Sequence, residues 1–122
     1  MGRILVVDDE FQVTRLLKKF LVSKAYEVCT AANGKTAIEK IRNAKPDIVL
    51  LDIVMPGIGG IDILKEIKKI DPDIAVIMVT ALSNEALAKN ALSFGAFDYI
   101  TKPINFDYLE TCVMVKMRQL HG

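Results

Sequence analysis

The chain has 122 residues, of which 52% are hydrophobic, and its 16 basic and 15 acidic residues leave a formal net charge of +1. This length fits one domain, and the apolar share suits a sheet covered on both faces. Basic residues are spread along the chain, so we expect no direct nucleic-acid binding. No apolar run approaches the roughly 20 residues that span a bilayer, and the chain enters a strand at Arg3-Ile4 without a signal-peptide core. We therefore expect a cytoplasmic protein without membrane contact.

Strand-like and helix-like segments alternate five times along the sequence. Short apolar runs predict strands at 4–7, 26–30, 48–51, 74–79 and 97–100. Each is followed by a segment with apolar residues at helical spacing: 11–21, 34–45, 61–71, 85–94 and 106–120. Asn33-Gly34 opens the second helix, Lys45-Pro46 ends it, and Gly95 is a suitable left-handed cap for the fourth. In the third helix, Ile61, Leu64 and Ile67 are predicted to face inward.

Continuous apolar strands that alternate with helices indicate a parallel sheet with right-handed crossovers. The second strand ends in Thr30-Ala31-Ala32 and brings no charged group to the carboxyl edge of the sheet, which favours a position at the sheet edge. We therefore predict an α/β fold: a doubly wound five-stranded parallel sheet in the flavodoxin-like order 2-1-3-4-5, inside a three-layer α/β/α sandwich. The switch point then lies between strands 1 and 3, where ligands bind in such sheets.

Polar residues stand where the apolar strands end. Asp8-Asp9 follows the first strand, Asp52 the third, Thr80 the fourth and Lys102 the fifth. Parallel strands bring these groups to one edge of the sheet. Crowded carboxylates attract a cation, and an oxygen-only site with room for water favours Mg²⁺. We predict that Asp9 and Asp52 bind Mg²⁺ directly and that Asp8 assists through water.

Asp52 is the natural nucleophile of this arrangement. It is the carboxylate on the central strand end, opposite Thr80 and Lys102. An ionised carboxylate needs no general base to accept a phosphoryl group, and Lys102 with the Thr80 hydroxyl can contact the phosphoryl oxygens. The residues thus predict metal-assisted phosphorylation of Asp52.

At this point the sequence closely resembles the receiver domains of two-component response regulators. The resemblance covers essentially the whole chain, and four motifs in the family's order are specific together although each is weak singly. The motifs are Val6-Val7-Asp8-Asp9-Glu10, Leu50-Leu51-Asp52-Ile53-Val54-Met55-Pro56-Gly57, Val79-Thr80-Ala81 and Tyr99-Ile100-Thr101-Lys102-Pro103.

The resemblance implies a role for each site residue. Asp52 is the phosphoacceptor, Asp8, Asp9 and the backbone carbonyl of Val54 serve the metal with it, and Lys102 contacts the phosphoryl group. It also implies that Thr80 and Tyr99 form a switch pair, and that the Lys102-Pro103 peptide is cis. The domain would be a signalling module of a phosphorelay rather than an enzyme, receiving its phosphoryl group from a sensor histidine kinase or a phosphotransfer protein.

The resemblance further implies that phosphorylation reshapes the face formed by the fourth helix, fifth strand and fifth helix. The fifth helix carries more apolar residues than one sheet face needs. That excess favours a homodimer or effector-domain contact over burial within the monomer. Residues 1–122 would be one receiver domain, either standing alone or taken from a longer regulator.

Several alternatives stay open at this point. A haloacid-dehalogenase-type phosphatase also uses an Asp nucleophile and Mg²⁺, but it needs a second Asp where Val54 stands. A flavodoxin-like flavin carrier needs a phosphate loop where the sequence has Asp8-Asp9-Glu10.

Single residues also have simpler structural interpretations. Asp9 could cap the first helix instead of binding a metal. Cys29 and Cys112 are expected to be two buried thiols rather than a disulfide or a metal site.

Overall fold

The computed structural model describes residues 2–121 and contains five strands that alternate with five helices. The strands are β1 (Arg3–Val7), β2 (Glu27–Ala31), β3 (Ile48–Leu51), β4 (Ala75–Thr80) and β5 (Asp98–Thr101). The helices are α1 (Phe11–Ser23), α2 (Gly34–Asn43), α3 (Gly60–Ile70), α4 (Glu85–Ser93) and α5 (Phe106–His121). All five predicted pairs of strand and helix are confirmed.

All four strand pairings are parallel, and the strand order is β2-β1-β3-β4-β5. This confirms the predicted doubly wound sheet in the order 2-1-3-4-5. Val7 pairs with Ala31 on one side and with Leu51 on the other. The chain therefore reverses its direction of winding after β2, and the crevice between β1 and β3 is the switch point of the sheet.

Side chains alternate between the two faces of the sheet, and each face is covered by helices. In β1, Leu5 and Val7 pack into a core with α2, α3 and α4, whereas Ile4 and Val6 pack into a second core with α1 and α5. Apolar residues on both faces explain why the strands are continuously hydrophobic. The molecule is thus the predicted three-layer α/β/α sandwich.

Local polar signals place the helix boundaries. The Asn33 side chain accepts a hydrogen bond from the backbone N–H of Thr36 at 2.9 Å, so it caps the start of α2 as its position predicts. Asn84 caps α4 in the same way through Leu87. Gly95 follows α4 with φ of +101°, the left-handed conformation expected of a glycine there. The Lys102-Pro103 peptide is cis, as predicted.

Some details of the strands and helices differ from the sequence-based expectations. β4 extends through Thr80, so this residue is the last of the strand instead of following it. In α3, Ile63 is buried and Ile61 is only half-buried, because α3 also packs on α2, where Ile63 lies against Gly34.

The prediction that both thiols are buried is wrong for Cys29. Cys112 is buried under α5, but Cys29 is exposed. The reason is that β2 is an edge strand, so its outer side lacks a neighbouring strand and is incompletely covered by α2. Both cysteines are free.

Within residues 2–121, no helix combines the length and the apolar character that a membrane crossing requires.

Two adjacent leucines of α1 offer a matched test of the core. Leu17 is 1% exposed and Leu16 is 54% exposed. We expect Leu17→Ala to lower the free energy of unfolding by about 2–5 kcal/mol, because it leaves a cavity under the sheet. Leu16→Ala should change it by no more than about 0.5 kcal/mol. Urea denaturation measures both, and equal losses in the two variants would contradict the packing of α1 described above.

Candidate functional site

Backbone hydrogen bonds hold the predicted site residues at the carboxyl edge of the sheet. The N–H of Asp52 donates to the Val7 carbonyl at 3.0 Å, and the N–H of Asp8 donates to the Ala31 carbonyl at 3.1 Å. At the other side of the site, the Lys102 N–H donates to the Thr80 carbonyl at 2.8 Å. These bonds continue the ladder of the sheet by one residue, so each side chain leaves the sheet from a rigid position.

Three carboxylates meet at this edge. Oxygens of Asp8, Glu10 and Asp52 all lie within 4.8 Å of one another. Asp8 is 3% exposed and Asp52 is 5% exposed, whereas Glu10 reaches in from an exposed position. Such a concentration of negative charge, partly removed from water, requires a compensating cation.

The ammonium group of Lys102 supplies positive charge to all three carboxylates. Its Nζ lies 2.7 Å from Asp8 Oδ2, 3.1 Å from Glu10 Oε1 and 3.4 Å from Asp52 Oδ2. Lys102 comes from the end of β5, two strands away from β3. The side chain therefore spans the crevice and closes the site from the side of β4 and β5.

Burial and neighbouring charges shift the pKa values of Asp8 and Lys102. Burial raises the pKa of Asp8, and the neighbouring charge of Asp52 adds to the rise, although hydrogen bonds from Lys102 and from the Glu10 backbone partly oppose it. Burial alone would lower the pKa of Lys102, but its bonds to Asp8 and Glu10 outweigh that effect and raise the pKa above the usual lysine value. Lys102 is therefore charged at neutral pH.

The two residues of the expected switch pair lie at the neighbouring strands. Thr80 is fully buried, and its Oγ1 accepts a long hydrogen bond of 3.4 Å from the Leu82 N–H. The Tyr99 hydroxyl donates to the Leu82 carbonyl at 2.5 Å. Both residues thus contact the same segment between β4 and α4. Burial, with a contribution from the charge of Asp52, raises the pKa of Tyr99.

Val54 lies beside the carboxylate of Asp52. Its backbone N–H donates to Asp52 Oδ1 at 3.4 Å, and its side chain is exposed. The role expected of its carbonyl group at the metal stays a prediction.

The structure places Asp9 differently from the other acidic residues. Asp9 is exposed and does not belong to the cluster of carboxylates, so its role as a direct metal ligand stays a prediction. It does not cap α1 either, because the N-cap residue is Glu10, whose backbone N–H donates to Asp8 Oδ1 at 2.9 Å. Sequence reasoning missed Glu10 as a site residue, although it belongs to the acidic run after β1.

The donor set of this cluster fits a hard divalent cation. Asp8, Glu10 and Asp52 offer only carboxylate oxygens, and one side of the cluster is exposed. Few protein ligands and access for water are the conditions that Mg²⁺ prefers. These three side chains are the candidate ligands of such an ion.

A doubly wound parallel sheet with an acidic cluster at its switch point defines a class of α/β proteins that bind a cation and charged groups at that edge. Residues 4–114 match the response regulator receiver domain family. The chain therefore belongs to this family, whose members are signalling domains of two-component systems.

Similar proteins support this assignment. The chain is 44% identical over 102 residues to the chemotaxis protein CheY of Thermotoga maritima. This match covers 83% of the present chain and 85% of CheY. It is 45% identical over 107 residues to the transcriptional regulatory protein ZraR of Klebsiella oxytoca, covering 88% of this chain. The match spans only 24% of ZraR, about a quarter of its length.

A solved structure has the same architecture. The response regulator protein TrrA of Thermotoga maritima, solved in complex with Mg²⁺-BeF, superposes with a TM-score of 0.86 at 41% identity. The superposition covers 95% of this chain and 99% of that one.

The raised pKa of Asp8 predicts a pH dependence of stability in the absence of divalent cations. In the folded protein the pKa of Asp8 lies above its ordinary value of 3.8. At pH values above 3.8, the folded state therefore binds more protons at Asp8 than the unfolded chain does. The contribution of Asp8 to the free energy of unfolding must then fall as pH rises through the window above 3.8.

Urea denaturation of the wild type and Asp8→Asn, in EDTA between pH 4 and pH 7.5, measures this contribution. We expect the stability of the wild type relative to Asp8→Asn to decrease with rising pH. Asp9→Asn, at the exposed neighbour, is the matched control. A stability of the wild type relative to Asp8→Asn that rises with pH would contradict the cause assigned to the shift.

Proposed function

We propose that this domain accepts a phosphoryl group on Asp52 in a Mg²⁺-dependent reaction and passes the signal on through a change of its surface. The donor is a sensor histidine kinase or a phosphotransfer protein. The observation that carries the proposal is the buried Asp52 carboxylate, within 4.8 Å of two further carboxylates and 3.4 Å from the Lys102 ammonium. Membership in the response regulator receiver domain family supports the same function.

The chemistry of the step follows from the positions of these side chains. An Asp52 carboxylate oxygen attacks the phosphorus atom, and the bond from phosphorus to the donor's leaving atom breaks with its electron pair. Asp52 is held by its backbone bond to Val7 and needs no general base. Lys102 then exchanges part of its contact with Asp8 for the phosphoryl oxygens, and Thr80 donates its hydroxyl to another of them.

A divalent cation is required because three carboxylates would otherwise repel the phosphoryl group. Asp8 and Asp52 would hold Mg²⁺, with Glu10 or the predicted ligands Asp9 and Val54 carbonyl completing the set. When bound, the ion neutralises carboxylate charge and polarises the phosphoryl oxygens. Asp8 would serve as a well-positioned ligand, since it is buried and its Oδ1 accepts a hydrogen bond from the Glu10 N–H.

The structure also supports a route for the signal. Movement of the Thr80 hydroxyl toward the new phosphoryl group would lengthen its 3.4 Å hydrogen bond from the N–H of Leu82, the residue whose carbonyl accepts from the Tyr99 hydroxyl. Tyr99 would then move toward the space that Thr80 vacates, a local electrostatic event that biases a two-state element.

The face that would change is formed by α4, β5 and α5. Its two helices already expose apolar side chains that the two cores do not use: Leu92, Tyr108, Met114 and Val115. We propose that this face contacts a second copy of the chain or an effector domain, and that residues 1–122 act as one cytoplasmic receiver domain.

Membership in the receiver family favours this function over both alternatives. A haloacid-dehalogenase-type phosphatase would need an acidic side chain at position 54, where an exposed valine stands. A flavin carrier would need a phosphate loop after β1, where the chain instead concentrates carboxylates.

Intact-mass measurement with acetyl phosphate tests the phosphorylation. We expect one added phosphoryl group in the presence of Mg²⁺, and none in EDTA or in the Asp52→Asn variant. Asp62→Asn, which changes a carboxylate at the first turn of α3 outside the cluster, should react as the wild type does. Phosphorylation of Asp52→Asn to the same extent, or of the wild type equally in EDTA, would overturn the assignment.

The switch can be tested separately from the chemistry. We expect Thr80→Val to accept a phosphoryl group more slowly but to leave the amide NMR signals of Tyr99 and α4 unshifted on phosphorylation, because the valine cannot donate to the phosphoryl group. Thr101→Val, at the exposed end of β5, is the control. If phosphorylated Thr80→Val shows the wild-type shifts, the proposed route through Thr80 is wrong.

A further inference from the structure

Gly60, the first residue of α3, lies against the backbone that carries Asp52. Its N–H donates to the Ile53 carbonyl at 2.9 Å, so the start of α3 is tied to the residue after Asp52. A Cβ added at Gly60 would lie 2.2 Å from the Asp52 carbonyl oxygen, 2.6 Å from Ile53 Cα and 2.9 Å from the Asp52 carbonyl carbon. All three are backbone atoms, which cannot turn aside as a side chain would.

We propose that Gly60 is a positioning residue for phosphoryl transfer to Asp52. This inference rests on the proposed function. Because Gly60 has no side chain, α3 presses directly on the peptide between Asp52 and Ile53. On its other side, Asp52 is bound through its N–H to the Val7 carbonyl. The nucleophile is therefore held between β1 and the start of α3.

The size of the collision determines the expected effect. Ordinary contact with a Cβ begins near 3.4 Å, so a methyl group at Gly60 must move the Asp52 peptide or α3 by about 1 Å. The Asp52 carboxylate would then shift relative to Lys102, to the Val54 N–H and to the cation. Misplacement of a reacting group by about 1 Å costs on the order of 10²-fold in rate.

Two other glycines provide matched controls. Gly59 precedes Gly60 with φ of −71°, and its added Cβ would be 3.8 Å from the nearest atom, the Ile53 carbonyl oxygen. Alanine therefore fits at position 59. At Gly34, an added Cβ would lie 2.8 Å from Ile63 Cδ1, a collision with a core side chain on α3 that involves no backbone atom of Asp52. Gly34→Ala thus tests core strain without direct contact to the nucleophile.

The experiment compares Gly60→Ala, Gly59→Ala and Gly34→Ala with the wild type. Initial rates of phosphorylation by acetyl phosphate are measured in saturating Mg²⁺ and divided by the folded fraction from urea denaturation. The amide NMR signals of Asp52 and Ile53 are recorded without phosphodonor. If Gly60→Ala is partly unfolded in buffer, all four proteins are measured in trimethylamine N-oxide, which favours the folded state.

We expect Gly60→Ala to lose on the order of 10- to 100-fold in rate per folded molecule and to shift the Asp52 and Ile53 amide signals. Gly59→Ala and Gly34→Ala should keep the wild-type rate within about twofold, even if Gly34→Ala is destabilised as strongly. A wild-type rate in Gly60→Ala, or an equal loss in Gly34→Ala, would overturn the positioning role while leaving the proposed function intact. A wild type that accepts no phosphoryl group would instead overturn the proposed function and this inference with it.

Discussion

In the parallel register of β1 and β3, Val7 pairs with Leu51, so the residues that follow them, Asp8 and Asp52, leave the sheet at the same level. The bond from the Asp52 N–H to the Val7 carbonyl keeps that register to the last residue. The two carboxylates are thus brought together by the main chain, not by attraction between their side chains. Every other feature of the site follows from this placement of like charges.

Two buried carboxylates at close range are unfavourable unless positive charge offsets them. Lys102 provides that charge from β5, and its contact with Glu10 draws a third carboxylate to the edge. The result is a site whose carboxylates are paired with Lys102 and, in the proposed function, would exchange these ion pairs for a cation and a phosphoryl group.

The core determines how rigid this site is. Helices cover both faces of the sheet, so each strand end is fixed by packing on two sides. The segment between β4 and α4 is held more weakly at the site, by a long bond to Thr80 and a hydrogen bond from Tyr99. Rigid strand ends beside a more weakly held connection thus give the domain a fixed Asp52 carboxylate and, in the proposed switch, a segment that moves when Asp52 is phosphorylated.

Much of this was predictable from the sequence, because the determining signals are local. Continuous apolar runs separated by helical periodicity define a parallel α/β sandwich, and the uncharged end of β2 indicates its place at the sheet edge. Asp8, Asp52, Thr80 and Lys102 could be assigned to one edge because parallel strands end there together. Only the tertiary structure decided which further acidic residue of the run after β1 joins Asp8 and Asp52: the Glu10 carboxylate does, and Asp9 lies outside the cluster. It also exposed Cys29, buried Ile63 and pressed Gly60 on Asp52, since these depend on how α2 and α3 pack across the sheet, which short-range patterns do not encode.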